Sequence, residues 1–257
     1  WDIPTGKYVS LGADLQNNGI FSPDGKTLVA TTVDKHSYAT GLVAFDPATG
    51  KQKLSIPVKE KHATISISSF SPDGKLMLAD YHVRESDKDR KNYHVRLEVL
   101  ESRTGKKIAS LAAPKTTGIS GCFSSDGQIL AINNYYRFDT TEPRVLLFSV
   151  AQDRVTATIP LGKTTKGESL SASDPVFSPD GKRLAVITQV ISDGEDDPLA
   201  VPQPRIHLID VSAGVIRETL VAPQGFSREA CFSPDGRTLA VGGQGRVLLW
   251  DVSQPSQ

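Results

Sequence analysis

Cysteine is nearly absent from this chain: Cys122 and Cys231 are the two it has. Two thiols do not make a disulfide scaffold. Each stands immediately before a Phe, where Ile20, Ser69 and Val176 stand in related stretches. That placement predicts small, buried, apolar roles for both. No run of about 18 apolar residues occurs, so the sequence offers no candidate membrane-spanning helix. Neither sign of charge is in excess, with Lys plus Arg and Asp plus Glu both at 29. A balanced chain has no global field for tracking a phosphate backbone, and nucleic acid is not an expected partner. Methionine occurs once, and the chain opens on Trp1-Asp2-Ile3-Pro4, without the basic and apolar regions of a signal peptide. This reads as a mature form or an excised domain, leaning to the cytoplasm, with the periplasm open if an upstream signal was removed. No stretch shows sustained helical periodicity, and no Asn-x-Ser/Thr sequon occurs. What is present, 38% apolar and 23% charged residues, is enough for a packed core and argues against disorder.

The strongest positive signal is a repeat. Phe-Ser-Pro-Asp-Gly begins at Phe21, Phe70, Phe177 and Phe232, and Phe123 begins a copy with Ser125 in place of Pro. Successive Phe residues lie 49, 53, 54 and 55 positions apart. A period of roughly 40 to 50 residues marks a repeat architecture. Within each unit Pro presets φ, Asp sits in the bridge region and Gly takes the left-handed position, which together make a tight hairpin turn. An apolar residue follows three after each Gly: Leu28, Met77, Leu130, Leu184 and Leu239. A third strand then ends at Phe45-Asp46, Leu100-Glu101, Phe148-Ser149, Ile209-Asp210 or Trp250-Asp251, and a second turn such as Thr49-Gly50-Lys51 leads to a fourth. Four short antiparallel strands per period is the pattern of a propeller blade. The expected fold is therefore all-β: a β-propeller of five four-stranded units, one domain over residues 1–257. The spare strand Tyr8-Val9-Ser10-Leu11 is expected to pair with the last unit, which stops after its third strand, and so remove an open edge.

The run from Phe232-Ser-Pro-Asp-Gly-Arg-Thr-Leu-Ala-Val-Gly-Gly-Gln-Gly-Arg-Val-Leu-Leu to Trp250-Asp251 resembles the WD-repeat β-propeller family in its bacterial form. The resemblance extends over nearly the whole chain. It departs from the family in lacking the Gly-His pair, in keeping Trp-Asp fully only at Trp1-Asp2 and Trp250-Asp251, and in longer repeats. The His-Ser-Asp-Trp hydrogen-bond network of that family is accordingly not expected here.

In an up-and-down blade the tight turns share one end and the remaining connections share the other. The length variation falls on that second end, above all in Tyr81 to Val95 and Gln189 to Arg205. Loops on a rigid scaffold are where binding usually lives. The candidate partner surface is therefore Tyr81, His82, Arg84, His94, Tyr135, Tyr136, Arg137, Phe226 and Arg228, rich in the aromatic and arginine types that anchor interfaces. Tyr81-His-Val-Arg84 recurs as Tyr93-His-Val-Arg96, so the two tetrads are expected to face each other across a hairpin. Two histidines there lack an evident third ligand, and no metal is expected. The acidic tip Asp193-Gly-Glu195-Asp196-Asp197 does not have calcium-loop spacing. His36, His62 and His207 are isolated and read as structural.

Gly162-Lys163-Thr164 lacks the earlier Gly of a phosphate loop, which is Ala157 here, and no Gly-x-Ser-x-Gly elbow occurs. With no recognisable catalytic set and no cofactor motif, the expected function is a non-catalytic scaffold. It would hold a protein or peptide as a monomer, without membrane or nucleic-acid contact. Two alternatives stand beside it: an accessory or sensor domain of a larger bacterial protein, linked to a kinase or cytochrome, and a propeller enzyme such as a hydrolase or lyase.

Overall fold

Ser-Pro-Asp-Gly, with Ser125 in place of Pro in one copy, builds the same hairpin turn five times in the computed structural model. The Ser hydroxyl (Ser22, Ser71, Ser124, Ser178, Ser233) donates to the Asp carboxylate two residues on, at 2.6–2.8 Å. The same oxygen accepts the backbone N–H five residues ahead, at 2.9–3.0 Å. The Asp carboxylate accepts a second backbone N–H at 3.0–3.1 Å. The Gly N–H closes the turn onto the Ser carbonyl at 2.8 Å, with Gly φ between 69° and 71°, a region that only glycine enters without strain. Ser125 in place of Pro changes none of these bonds, because the Ser, Asp and Gly make them all. The donated bonds hold every one of the five carboxyls below the usual range, Asp73 at about 2.

The described residues are 8, 10–11, 14–15, 19–34, 39–60, 63–84, 93–113, 118–135, 143–163, 168–192, 203–223, 226–243 and 245–253. They form twenty strands in five antiparallel sheets, each made from strands consecutive in the chain. The first is β1 (Ile20–Phe21), β2 (Leu28–Val33), β3 (Ala39–Phe45) and β4 (Gln52–Pro57). The second is β5 (Ala63–Phe70), β6 (Leu76–Arg84), β7 (Tyr93–Glu101) and β8 (Lys107–Ala113). The third is β9 (Gly118–Phe123), β10 (Ile129–Tyr135), β11 (Arg144–Ser149) and β12 (Arg154–Pro160). In the fourth the first strand is split into β13 (Glu168–Ala172) and β14 (Val176–Phe177), both paired with β15 (Arg183–Ser192), which continues to β16 (Arg205–Asp210) and β17 (Val215–Val221). Pro175 lies in the break, where its missing N–H cannot serve the ladder. The fifth has three strands among the described residues, β18 (Phe226–Phe232), β19 (Thr238–Gly243) and β20 (Arg246–Asp251). Of the expected closing strand, Tyr8, Ser10 and Leu11 are described and belong to no strand, so the fourth strand expected for the last repeat is not seen among the described residues.

The second turn repeats as well in the first four sheets. Gly50, Gly105 and Gly214 donate their N–H groups to the carbonyls of Asp46, Glu101 and Asp210. In the third sheet Asp153 takes the left-handed position instead, with φ 49°.

The chain divides into two compact units, Trp1–Lys115 and Thr116–Gln257. In the first, Val29, Leu42 and Ala44 of sheet one pack on Ile65, Met77, Ala79 and Tyr81 of sheet two. The other face of sheet one, with Ala30, Val43 and Phe45, is covered by Leu11 and Leu15. In the second unit, Ala131, Val145 and Leu147 of sheet three meet Leu184, Val186 and Ile209 of sheet four. Ala185, Ile187, Ile206 and Leu208 of sheet four then meet Leu239, Val241 and Trp250 of sheet five. Each third strand thus sends two apolar residues to one face. In the first four sheets these are Leu42 and Ala44, Leu97 and Val99, Val145 and Leu147, and Ile206 and Leu208, all between 0 and 5% exposed.

Cys122 follows the sequence expectation. It packs in the core between sheets three and four, its thiol donates to the Pro175 carbonyl at 3.0 Å, and burial pushes it up to about 12. Cys231 does not, because it is exposed. It pairs with Ala240, which pairs with Leu249, so it shares the face of sheet five that carries Leu249.

Candidate functional site

The long hairpin of the second repeat is mostly strand. β6 runs to Arg84 and β7 starts at Tyr93, so Tyr81, His82, Arg84 and His94 stand on a paired ladder and not in a loop. The register is Tyr81 opposite Arg96, His82 opposite Val95, Val83 opposite His94 and Arg84 opposite Tyr93. The two tetrads therefore do face each other. Consecutive strand positions alternate faces, so the positions of His82 and His94, one step out of register, lie on opposite faces of the sheet.

Tyr81 and Arg96 share a face, and the guanidinium carbon lies 4.6 Å from the centre of the Tyr81 ring. At that distance the ring quadrupole attracts the cation. Arg96 Nη2 donates to both oxygens of Glu60, at 2.9 and 3.2 Å. Arg96 Nε stands 2.9 Å from Glu98 Oε1, and Lys107 Nζ lies 3.5 Å from the same oxygen. Glu98 is buried and follows Arg96 by two on β7, so it occupies the same face. Burial works against the Arg96 cation, but the hydrogen bond to Glu60 and the charges of Glu98 and Glu60 outweigh it and raise its value. Burial, with Glu98 next to it, pushes the Tyr81 hydroxyl up to about 12. Neutral tyrosine and charged arginine are thus both secured. Arg96 keeps 22% of its side chain exposed and Glu60 43%, so the group forms a rim with a buried base. On the opposite face Ser68 Oγ donates to the buried Asp80 carboxylate.

The remaining candidates stay apart or fall outside the description. Tyr135 ends β10 in sheet three, while Phe226 and Arg228 lie on β18 in sheet five. Tyr136 and Arg137 lie outside the described residues. His207 is a core residue: Nε2 is 2.9 Å from Thr188 Oγ1 and Nδ1 3.2 Å from Thr219 Oγ1. Among the described residues no three of His, Cys, Asp and Glu come together as metal ligands, and no helix is long and apolar enough to cross a membrane. Sequence reasoning missed Glu60 and Glu98. Glu98 had a signal, a charge inside an apolar strand. Glu60 had none, since its partner lies 36 residues away.

The family model described as "WD domain, G-beta repeat" matches residues 222–251, the stretch holding β18 to β20. No curated protein matches the sequence. Solved structures of similar fold include the Kuenenia stuttgartiensis hydrazine synthase, at 19% identity over 96% of this chain and 80% of that one, with TM-score 0.50. The Dos1 propeller is similar at 13% identity, 92% of this chain and 55% of that one, with TM-score 0.56. An oligogalacturonate lyase in complex with manganese is similar at 16% identity, 95% and 64%, with TM-score 0.61. At these identities the likeness is one of fold. The chain spans less than two thirds of the length of the last two.

Proposed function

Because the chain belongs to the WD-repeat β-propeller family, we propose that it is a non-catalytic platform holding a protein or peptide at the long-connection ends of its sheets. WD repeats generally mediate protein–protein interaction. One observation carries the reading. At one end of every sheet the Ser, Asp and Gly groups are bonded to one another in an invariant network, while the other end differs from sheet to sheet. In sheet two that variable end presents a preformed Tyr81–Arg96–Glu60 rim. Arginine held on an aromatic ring is pre-ordered for a partner's carboxylate or carbonyl, which lowers the ordering cost of binding. The partner surface comprises that rim and the candidates on the other long connections, with no cofactor, and the protein acts as a monomer. The test removes residues 85–91 and 192–198 and replaces Tyr136 and Arg228 with Ala. Capture of the partner from host extract should be abolished, and undiminished capture would remove the surface assignment.

A second reading, an accessory or sensor domain of a larger bacterial protein, is favoured by the chain's span of 55% and 64% of two similar propeller-fold structures. Closure of a five-sheet ring by the segment around Tyr8 is the architecture that competes with it. Turnover of glycan or lactone substrates would replace both readings with an enzyme.

A further inference from the structure

The Arg96 rim holds its two carboxylates in different ways. Glu98 is buried on β7 and stands close to both Arg96 Nε and Lys107 Nζ. Glu60 lies outside the strands, in the connection from β4 to β5, with 43% of its side chain exposed. Both of its oxygens are bound by one nitrogen, Arg96 Nη2, at 2.9 and 3.2 Å. A guanidinium grips a carboxylate best through two parallel bonds from two nitrogens. Glu60 therefore occupies the place of a carboxylate without taking the strongest grip a guanidinium offers. In sequence it stands between Lys59 and Lys61, with His62 next, so its near neighbours are basic. Glu60, Tyr81, Arg96, Glu98 and Lys107 all belong to the unit Trp1–Lys115.

The charges of the group balance, Arg96 and Lys107 against Glu60 and Glu98. Turning Glu60 out to water would leave one positive charge, on a guanidinium still held by the Tyr81 ring at 4.6 Å and by Glu98. That charge matches a ligand with one negative charge and two coplanar oxygens. A carbonyl brings no charge, and a phosphate monoester brings close to two beside the fixed charge of Glu98. We infer that the rim recognises an acidic side chain of a peptide partner, and that Glu60 is the internal occupant which this side chain displaces. The inference rests on the platform reading and names its ligand chemistry. A side chain is favoured over a chain terminus because the resident carboxylate is itself a glutamate side chain. Glu60 is then a competitor carried by the chain: it keeps the guanidinium paired when no partner is bound, and it sets the affinity a partner must exceed. An exposed pair of this kind is weak, so the competitor raises a threshold and does not close the site.

Short random peptides are selected on the 257-residue chain, and the enriched sequences are synthesised with amidated C-termini. Exchanging their Glu or Asp for Gln or Asn should weaken binding at least ~10-fold, the loss expected for a hydrogen bond to a charged group. Glu60→Gln should bind the same peptides about 3- to 5-fold more tightly in calorimetry, the gain from removing an exposed competing ion pair. Arg96→Lys keeps the charge without the fork and should bind them at least ~10-fold more weakly. An unchanged or weakened affinity in Glu60→Gln overturns the inference, whatever Arg96→Lys does to folding, because Glu60 is exposed and outside the sheets. So does a selection that yields no acid-dependent peptide, or binding that amidation abolishes, which would assign the site to a chain terminus. The platform reading fails separately. Partner capture lost on removing the two long-connection tips, with Glu60→Gln leaving every peptide affinity unchanged, keeps the platform and sinks the displaced carboxylate. Capture that survives the removal, with acidic peptides still tightened by Glu60→Gln, keeps the carboxylate site and sinks the wider partner surface.

Discussion

Replacing His207 with Gln should remove a step in the pH dependence of stability of the unit Thr116–Gln257 between pH 6.5 and about 4. His207 is 4% exposed on β16, with Thr188 and Thr219 against its two ring nitrogens. A neutral imidazole satisfies both, donating from one nitrogen and accepting at the other. Burial, and then the nearby Arg205 charge, depress its value from 6.5 to about 4. In the unfolded chain the same ring protonates at its ordinary value. Between the two values the unfolded state binds a proton that the folded state refuses, so stability is full above 6.5 and falls as the pH drops toward 4. At 1.36 kcal/mol per pKa unit the loss is ~3 kcal/mol by pH 4. Glutamine offers one donor and one acceptor but does not titrate. Urea unfolding of both proteins from pH 8 to pH 4 should show the wild type losing about 3 kcal/mol more than the variant. Whatever offset Gln introduces at pH 8, and every carboxylate common to both, cancels in that difference. Parallel curves would refute the reasoning, because they would mean that His207 reaches water in the folded state.

The turn acids give a second, lower step. Their depressed values mean stability is full above the unfolded value near 3.8 and is lost as pH falls through the folded value, about 2 for Asp73, so circular dichroism should place the acid transition in that window and Asp73→Asn should flatten part of it. Ser125→Pro should stabilise by about 0.5 kcal/mol in chemical denaturation, because the turn at Ser124 already has the bonds of the Pro-containing copies and Pro restricts only the unfolded chain. Arg96→Ala should cost about 3 kcal/mol by taking from the buried Glu98 the nearer of its two cations, whereas Glu60→Gln at the exposed rim should cost under about 1 kcal/mol; equal effects in thermal unfolding would contradict a buried base and an open rim.

The strand order was legible because it is written locally. Each Ser-Pro-Asp-Gly turn carries its own closing bonds, and those bonds place Leu28, Met77, Leu130, Leu184 and Leu239 in one register. Strand ends were less legible. The variable connection was placed from Tyr81 to Val95, but once a hairpin starts, backbone pairing extends as far as the two arms allow, here to Arg84 and Tyr93. Burial was legible only where it follows from the strand itself. Cys122 and Cys231 have the same local sequence setting, yet Cys122 packs against the core between sheets three and four and Cys231 is exposed. Arg183 makes the same point: it reaches the carbonyls of Gly236 and Val252 and the ring of Phe232 in the next sheet, contacts that no local pattern announces.

The division of labour between the two ends of a sheet follows from how polar groups are committed. At the tight turns each Ser hydroxyl both gives and accepts, each Asp receives two donors and each Gly N–H is used, so a ligand there would have to break bonds to make any. Leaving such groups unpaired costs more than a new contact returns. At the rim the balance is different. Arg96 is anchored from beneath by Tyr81 and Glu98, yet its outer nitrogen is held by Glu60, which is itself half in water. Exchanging one exposed carboxylate for another costs little, because surface ion pairs of this kind contribute under about 1 kcal/mol. The guanidinium would stay oriented through the exchange, since its anchors do not move. A repeat that fixes its scaffold so completely at one end therefore concentrates adaptable, pre-ordered chemistry at the other, and the residues that break the repeat are the ones able to recognise something.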